Sequence, residues 1–252
     1  INGASGATNV LNVLTGDTRN GDPATTGEVS IELAPGETVP AGLTFDTATG
    51  NISVDPGTPA GTYFFNYRIC EIINPTNCSI AEARVTVVAA PIVAADDSVG
   101  GINGADGAVN VLNALADDTI NGVQATTANV TITLAPGATV PAGLTFDPAS
   151  GNTSVAPGTP AGVYSFDYQI CEQLNPSNCA IATETVTVVA APILAVDDGA
   201  TGINGADGDN NVLNVLDADT LNGDGRGRDP RGAEQAHVRD TARVVFHVVD
   251  RI

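Results

Sequence analysis

Tyr164, Phe166, Tyr168 and Ile170 stand at every second position, with Val163, Ser165, Asp167 and Gln169 between them. Such alternation marks a half-buried strand, because successive side chains of an extended chain point to opposite faces. The same period runs through Val130, Ile132 and Leu134, and through Ala180, Ala182, Val186 and Val188. Strands are predicted over 92–95, 109–115, 130–134, 144–146, 152–155, 164–171 and 179–189, separated by Gly- and Pro-containing turns. No window sustains the 3.6-residue period of a helix, so the predicted class is all-β.

The pattern occurs more than once. Residues 1–101 overlay residues 102–202 without a gap and agree at 68 of 101 positions. A third copy opens at Ile203, keeps Asn211-Val212-Leu213-Asn214-Val215-Leu216 and Leu221-Asn222-Gly223, then departs from the repeat. A period near 100 residues is too long for a solenoid and suits a self-sufficient sandwich of about seven strands. The expectation is therefore tandem β-sandwiches of about seven strands each, with the third copy truncated. The expected divisions are 1–93, lacking its first strand; 94–194, complete; 195–224, the start of a third repeat; and 225–252, a divergent tail. The chain is read as a fragment of a longer protein. Where the two copies differ along one strand, at Thr62/Val163, Phe64/Ser165, Asn66/Asp167 and Arg68/Gln169, the positions are predicted to face outward. The core is thus expected to be kept while the surface drifts.

Charge separates the repeats from the tail. Residues 1–224 carry 25 Asp and Glu against Arg19, Arg68 and Arg84, a net −22, and the chain has no Lys. The last 28 residues hold six Arg and both histidines, His237 and His247. A reading-frame shift is the preferred account of this tail and a real basic terminus the alternative; residues 203–252 are expected to fold only in part. An acidic body repels nucleic acid and anionic membrane surfaces. No apolar run approaches the ~18 residues of a membrane span.

Cys70 and Cys78, and likewise Cys171 and Cys179, enclose loops containing Asn-Pro-Thr-Asn or Asn-Pro-Ser-Asn. Strand parity puts Cys171 opposite in phase to Tyr168 and Ile170, and Cys179 opposite to Ala180 and Ala182, so both belong to the outer face of one hairpin. Opposed strand residues have Cβ atoms about 4.5–5.5 Å apart, close to disulfide geometry. A metal site or reactive thiols are the alternatives, but the complete repeats offer no His as a further ligand. Two hairpin disulfides imply an oxidising, extracellular location, secreted or at the cell surface.

The run Val140-Pro141-Ala142-Gly143-Leu144-Thr145-Phe146-Asp147-Pro148-Ala149-Ser150-Gly151-Asn152, followed by Gly158-Thr159-Pro160-Ala161-Gly162-Val163-Tyr164, resembles the bacterial putative immunoglobulin-like domain of large surface proteins. It recurs over 39–63. A departure from that pattern is Asp55-Pro56, or Ala156-Pro157, where a Gly is usual. Asp96-Asp97 followed by Val109-Asn110-Val111-Leu112-Asn113 and Asp118-Thr119 is similar to the cadherin-like repeats of bacterial adhesins. The resemblance implies a sandwich fold and a place in an adhesive array.

The aspartates are the only constellation that could carry chemistry. Asp96, Asp97, Asp197 and Asp198 follow the Ala-Ala-Pro-Ile segments where one repeat hands over to the next, while Asp17, Asp118 and Asp219 recur in register and Asp117 adds a carboxylate. Calcium takes six to eight oxygen ligands, which Asp96, Asp97, Asp117 and Asp118 would help supply if pairing brings them together. The competing reading is that they are solvated turn residues. A hydrolase triad or catalytic zinc lacks an imidazole in the repeats, and a glycosidase cleft lacks aromatics, so no catalytic residue is expected. The Gly100-Gly101-Ile102-Asn103-Gly104 stretch reads as turns. The leading expectation is a spacer or adhesion array that meets an unidentified cell-surface or matrix ligand and stacks on its own neighbouring repeats. The alternative is a carbohydrate- or protein-binding accessory module of a larger secreted protein.

Overall fold

The computed structural model describes residues 1–225, and the divergent tail from 226 on lies outside the described residues. In the first repeat the strands are β1 (Ala7–Asn12), β2 (Val29–Leu33), β3 (Leu43–Asp46), β4 (Asn51–Val54), β5 (Gly61–Glu71) and β6 (Cys78–Val87). The second contains β7 (Asp97–Asn103), β8 (Ala108–Asn113), β9 (Val130–Leu134), β10 (Leu144–Asp147), β11 (Asn152–Val155), β12 (Gly162–Glu172) and β13 (Cys179–Val189). No helix occurs among the described residues.

Each repeat folds as two facing sheets. In the first, β1-β4-β3 faces β2-β5-β6; in the second, β8-β11-β10 faces β7-β13-β12-β9. Alternation supplies the filling: Phe65, Tyr67, Ile69, Val85 and Val87 from one sheet meet Leu43, Ile52 and Val54 from the other. Phe45 and Phe65 touch across this gap at 5.2 Å between ring centroids, and Phe146 and Phe166 repeat the contact at 5.3 Å. Outward residues of the same strands stay exposed, as Val163 does at 70 %.

Local chemistry sets the turns. Asn20 and Gly21 both have positive φ and join Arg19 to Asp22 in a two-residue hairpin. That combination is the type I′ turn, whose twist matches paired strands, and Asn121-Gly122 and Asn222-Gly223 repeat it. A glycine is needed for a different reason at Gly104, where a Cβ would lie 2.0 Å from the Thr159 carbonyl oxygen.

Two expectations are corrected here. The glycine stretch is not simply a set of turns: Asp97–Asn103 forms β7, paired in parallel with β13, and the register slips between Val99 and Ile102. Gly100 and Gly101 occupy that slip, as glycines do in bulged strands. Nor has drift been confined to the surface. Ile52 and Ala83 of the first core become Thr153 and Glu184 in the second, and all four are buried.

The cysteines pair as opposed residues, Cys70 with Cys78 and Cys171 with Cys179, each with 4.1 Å between Cα atoms. Cys78 and Cys179 are exposed, whereas Cys70 and Cys171 are buried despite their outer-face parity. They lie on the central strands β5 and β12, flanked on both sides, and Gln169 additionally covers the Cys171 sulfur.

Residues 1–190 form one compact unit, in which the two repeats touch through polar groups. The Ala60 amide donates to Asn175 Oδ1 at 2.7 Å, and Asn121 Nδ2 donates to Ser5 Oγ at 2.8 Å. In the second unit, Thr220–Leu221 pairs with Ile193–Leu194 and with Asp224–Gly225, while 195–204 carries no regular structure.

Candidate functional site

The start of β7 places Asp97 directly across from Glu184 on β13. Parity carries both side chains inward, beside Asp118, which stands just before the hairpin of Thr119–Ile120 with Val123–Gln124, and Tyr168 from β12. Asp97, Asp118 and Glu184 are 6 %, 0 % and 0 % exposed. The Tyr168 hydroxyl lies 3.2 Å from Asp97 Oδ2, 3.0 Å from Asp118 Oδ1 and 2.9 Å from the Ala95 carbonyl oxygen. The Ala95 amide donates to Asp118 Oδ1 at 2.8 Å. Thr153 Oγ1 donates to Glu184 Oε2, while Glu184 Oε1 has no hydrogen-bond partner among the described residues.

Electrostatics follows from the geometry. Burial pushes Glu184 up to about 7; the Thr153 hydroxyl opposes the shift, and Asp97 and Asp118 add to it. Burial also raises Asp97 to about 6, against the Tyr168 hydrogen bond and with the charges of Asp118, Asp117 and Asp96. Asp118 is raised chiefly by burial, as is the Tyr168 hydroxyl. One hydroxyl has one proton to give, so it cannot donate to both aspartates at once. A proton resident on one carboxyl would complete the arrangement.

The expected site residues therefore separate. Asp97 and Asp118 meet at Tyr168, while Asp96 and Asp117 remain exposed and the Asp96 carboxylate accepts the Thr183 amide at 2.9 Å. Asp219 accepts the Val196 amide at 2.8 Å, repeating the bond between Asp118 and Ala95. Asp197 is exposed and Asp198 partly so. In the first repeat Asp17 takes a bond from Tyr67 at 2.9 Å. Among the described residues no three His, Cys, Asp or Glu side chains are arranged as a metal cage. Sequence reasoning missed Glu184, Thr153 and the Tyr168 hydroxyl. The available signal was the parity of Glu184, midway between inward Ala182 and Val186, together with the simultaneous exchange of Ile52 and Ala83 for Thr153 and Glu184.

Residues 4–89 match the family model of the putative Ig domain, so the first repeat is an immunoglobulin-like domain, and the second is its near copy. No curated protein sequence matches the chain. Among solved structures it is similar to domains 3–6 of protocadherin gamma B2, at 10 % identity and a TM-score of 0.32, covering 64 % of this chain and 42 % of that one. Mouse cadherin-23 EC22–24 gives 13 % identity and a TM-score of 0.30, covering 64 % and 53 %. An endo-fucoidan hydrolase of glycoside hydrolase family 107 gives 20 % identity and a TM-score of 0.29, covering 64 % and 24 %. The chain thus spans about half or less of the length of these proteins.

Proposed function

We propose that this chain is a noncatalytic repeat segment of a secreted or cell-surface protein, in which tandem immunoglobulin-like sandwiches serve as spacer and adhesion array. The observation that carries the reading is two sandwiches of repeated sequence joined in one unit, each with its terminal hairpin closed by a disulfide. Disulfides persist in oxidising surroundings, which supports an extracellular place. No helix among the described residues is long and apolar enough to cross a membrane. Multivalent engagement of a surface or matrix ligand is the mode such an array would use.

Calcium enters as part of the proposal at the rim of the carboxylate cluster. The exposed Asp96 and Asp117 would hold the ion, since Asp97 and Asp118 are buried and engaged with Tyr168. Thermal unfolding of the chain with calcium and with chelator tests this. A ligand at a hundred times its dissociation constant adds about 2.7 kcal/mol of stability, so a rise in midpoint is expected. Identical midpoints up to millimolar calcium remove the ion from the account. The array itself is tested by presenting the chain singly and in multiple copies on beads to mammalian and bacterial cell surfaces. Adhesion that grows with copy number is expected, and none at any density refutes it.

A further inference from the structure

Between the two repeats lies a cleft of about 530 Å³, within the range of ligand pockets. Ala4 and Gly57 of the first repeat form one wall; Ile120, Val123, Leu174 and Glu172 of the second contribute to the other. Its polar lining is Asn121, Asn129, Gln173 and Glu172, of which Glu172 alone carries an ionisable group.

Comparison with the first repeat shows what that carboxylate lacks. Its counterpart Glu71 receives Arg19 Nη2 at 2.7 Å and Nε at 3.2 Å, both on Oε1, while Oε2 takes Asn74 and Asn77. These hydrogen bonds, from Asn74 first and then Arg19, hold Glu71 down at about 2. The second repeat keeps the glutamate and the amide side: Glu172 Oε2 accepts Asn178 Nδ2 at 2.8 Å and the Ala90 amide at 3.2 Å. The arginine, however, has become Ile120. Glu172 is 2 % exposed, and its Oε1 has no partner among the described residues. An uncompensated buried carboxylate is costly, and a cation supplied from outside relieves that cost.

We infer that this cleft binds an arginine side chain presented by a partner polypeptide. The guanidinium takes the place on Glu172 Oε1 that Arg19 takes on Glu71 in the first repeat, and its aliphatic stem lies along Ile120, Val123 and Leu174. Charge complementarity favours the encounter, because residues 1–224 carry a net −22 and steer cations toward the surface. A guanidinium is also less strongly hydrated than an ammonium and forms directed bonds to carboxylate, so arginine is selected over lysine. The cleft shares Asn121 with the repeat-to-repeat hydrogen bonds, but the carboxylate that takes the guanidinium, Glu172, belongs to the second repeat alone.

The test is calorimetric titration of the full chain with the probe acetyl-Ala-Arg-Ala-amide, beside the same peptides carrying lysine or citrulline. Binding of one arginine peptide per chain is expected, at least tenfold tighter than citrulline. Two variants locate it. Ile120→Arg supplies the first repeat's own guanidinium and should abolish binding; Glu172→Gln keeps the acceptor for Ala90 and should weaken binding at least tenfold. If Glu172→Gln fails to fold, the Ile120→Arg result decides alone. Equal binding of the citrulline peptide, no binding of the arginine peptide at 0.15 M salt, or undiminished binding by Ile120→Arg overturns the inference.

Discussion

The buried pair Thr153 and Glu184 occupies the positions held by Ile52 and Ala83 in the first repeat, so the first repeat specifies its own replacement experiment. The double variant Thr153→Ile with Glu184→Ala installs the first repeat's residues in the second core. Glu184 sits at about 7 in the folded protein, against 4.5 for the free side chain. The neutral form is the one the fold favours. The contribution of Glu184 to stability is therefore full below pH 4.5, declines as pH rises toward 7 and levels off above it. One pKa unit is 1.36 kcal/mol, so the decline amounts to about 3 kcal/mol. The variant removes this pH dependence but leaves side-chain volume unfilled, at a cost of about 1 kcal/mol that does not vary with pH. The variant should thus be about 1 kcal/mol less stable than the parent at pH 4.5 and about 2 kcal/mol more stable at pH 8. Urea unfolding followed through resolved amide NMR signals of Tyr168 and Val186 reads the second repeat alone. Parallel stability curves for parent and variant between pH 4.5 and 8 would refute the reasoning, whatever their vertical offset.

Two further predictions concern the framework. Removing one bridge by Cys171→Ala with Cys179→Ala reopens a loop of eight-residue separation, and the chain-entropy relation gives a loss of about 2 to 3 kcal/mol, measured by denaturant unfolding; a loss below about 0.5 kcal/mol would show that the bridge constrains nothing. Gly104→Ala forces a methyl against the Thr159 carbonyl and should cost at least about 2 kcal/mol in the same assay. Gly100→Ala meets only Thr187 at 3.7 Å and should stay within about 0.5 kcal/mol, so equal effects at the two glycines would disprove the close-approach argument.

Much of the fold was legible because the second repeat states its alternation without interruption. Val130–Leu134, Asn152–Val155 and Cys179–Val189 are strands over the residues that parity and turn chemistry indicated. The strand at Asp97–Asn103 was not, because a bulged strand and a glycine turn have the same composition; what separates them is the partner strand β13, some 85 residues away in sequence. That omission also hid part of the site. With Asp97 in a turn, its carboxylate belongs to solvent; with Asp97 at the head of a parallel strand, it faces inward and meets Asp118 and Tyr168. Parity placed the cysteines correctly on one face, but a face is not a burial, and the flanking strands cover Cys70 and Cys171.

Duplication makes the unusual groups interpretable. The two repeats share a frame and most of their core, so a buried polar group in one can be set against its counterpart in the other. Glu71 and Glu172 occupy equivalent positions, but among the described residues only Glu71 has a guanidinium across from it. Glu184 has no acidic counterpart at all, since Ala83 fills its place. Among the described residues, both second-repeat carboxylates leave an oxygen buried without a hydrogen-bond partner, a condition that costs free energy and that the first repeat shows to be unnecessary for the fold. Their positions divide them: Glu184 lies between the sheets with Thr153 and the aspartates, where a proton can neutralise it, while Glu172 lines a cleft open to larger cations. Folding alone therefore explains the shared framework, and the departures of the second repeat from it are where binding and pH response should be sought.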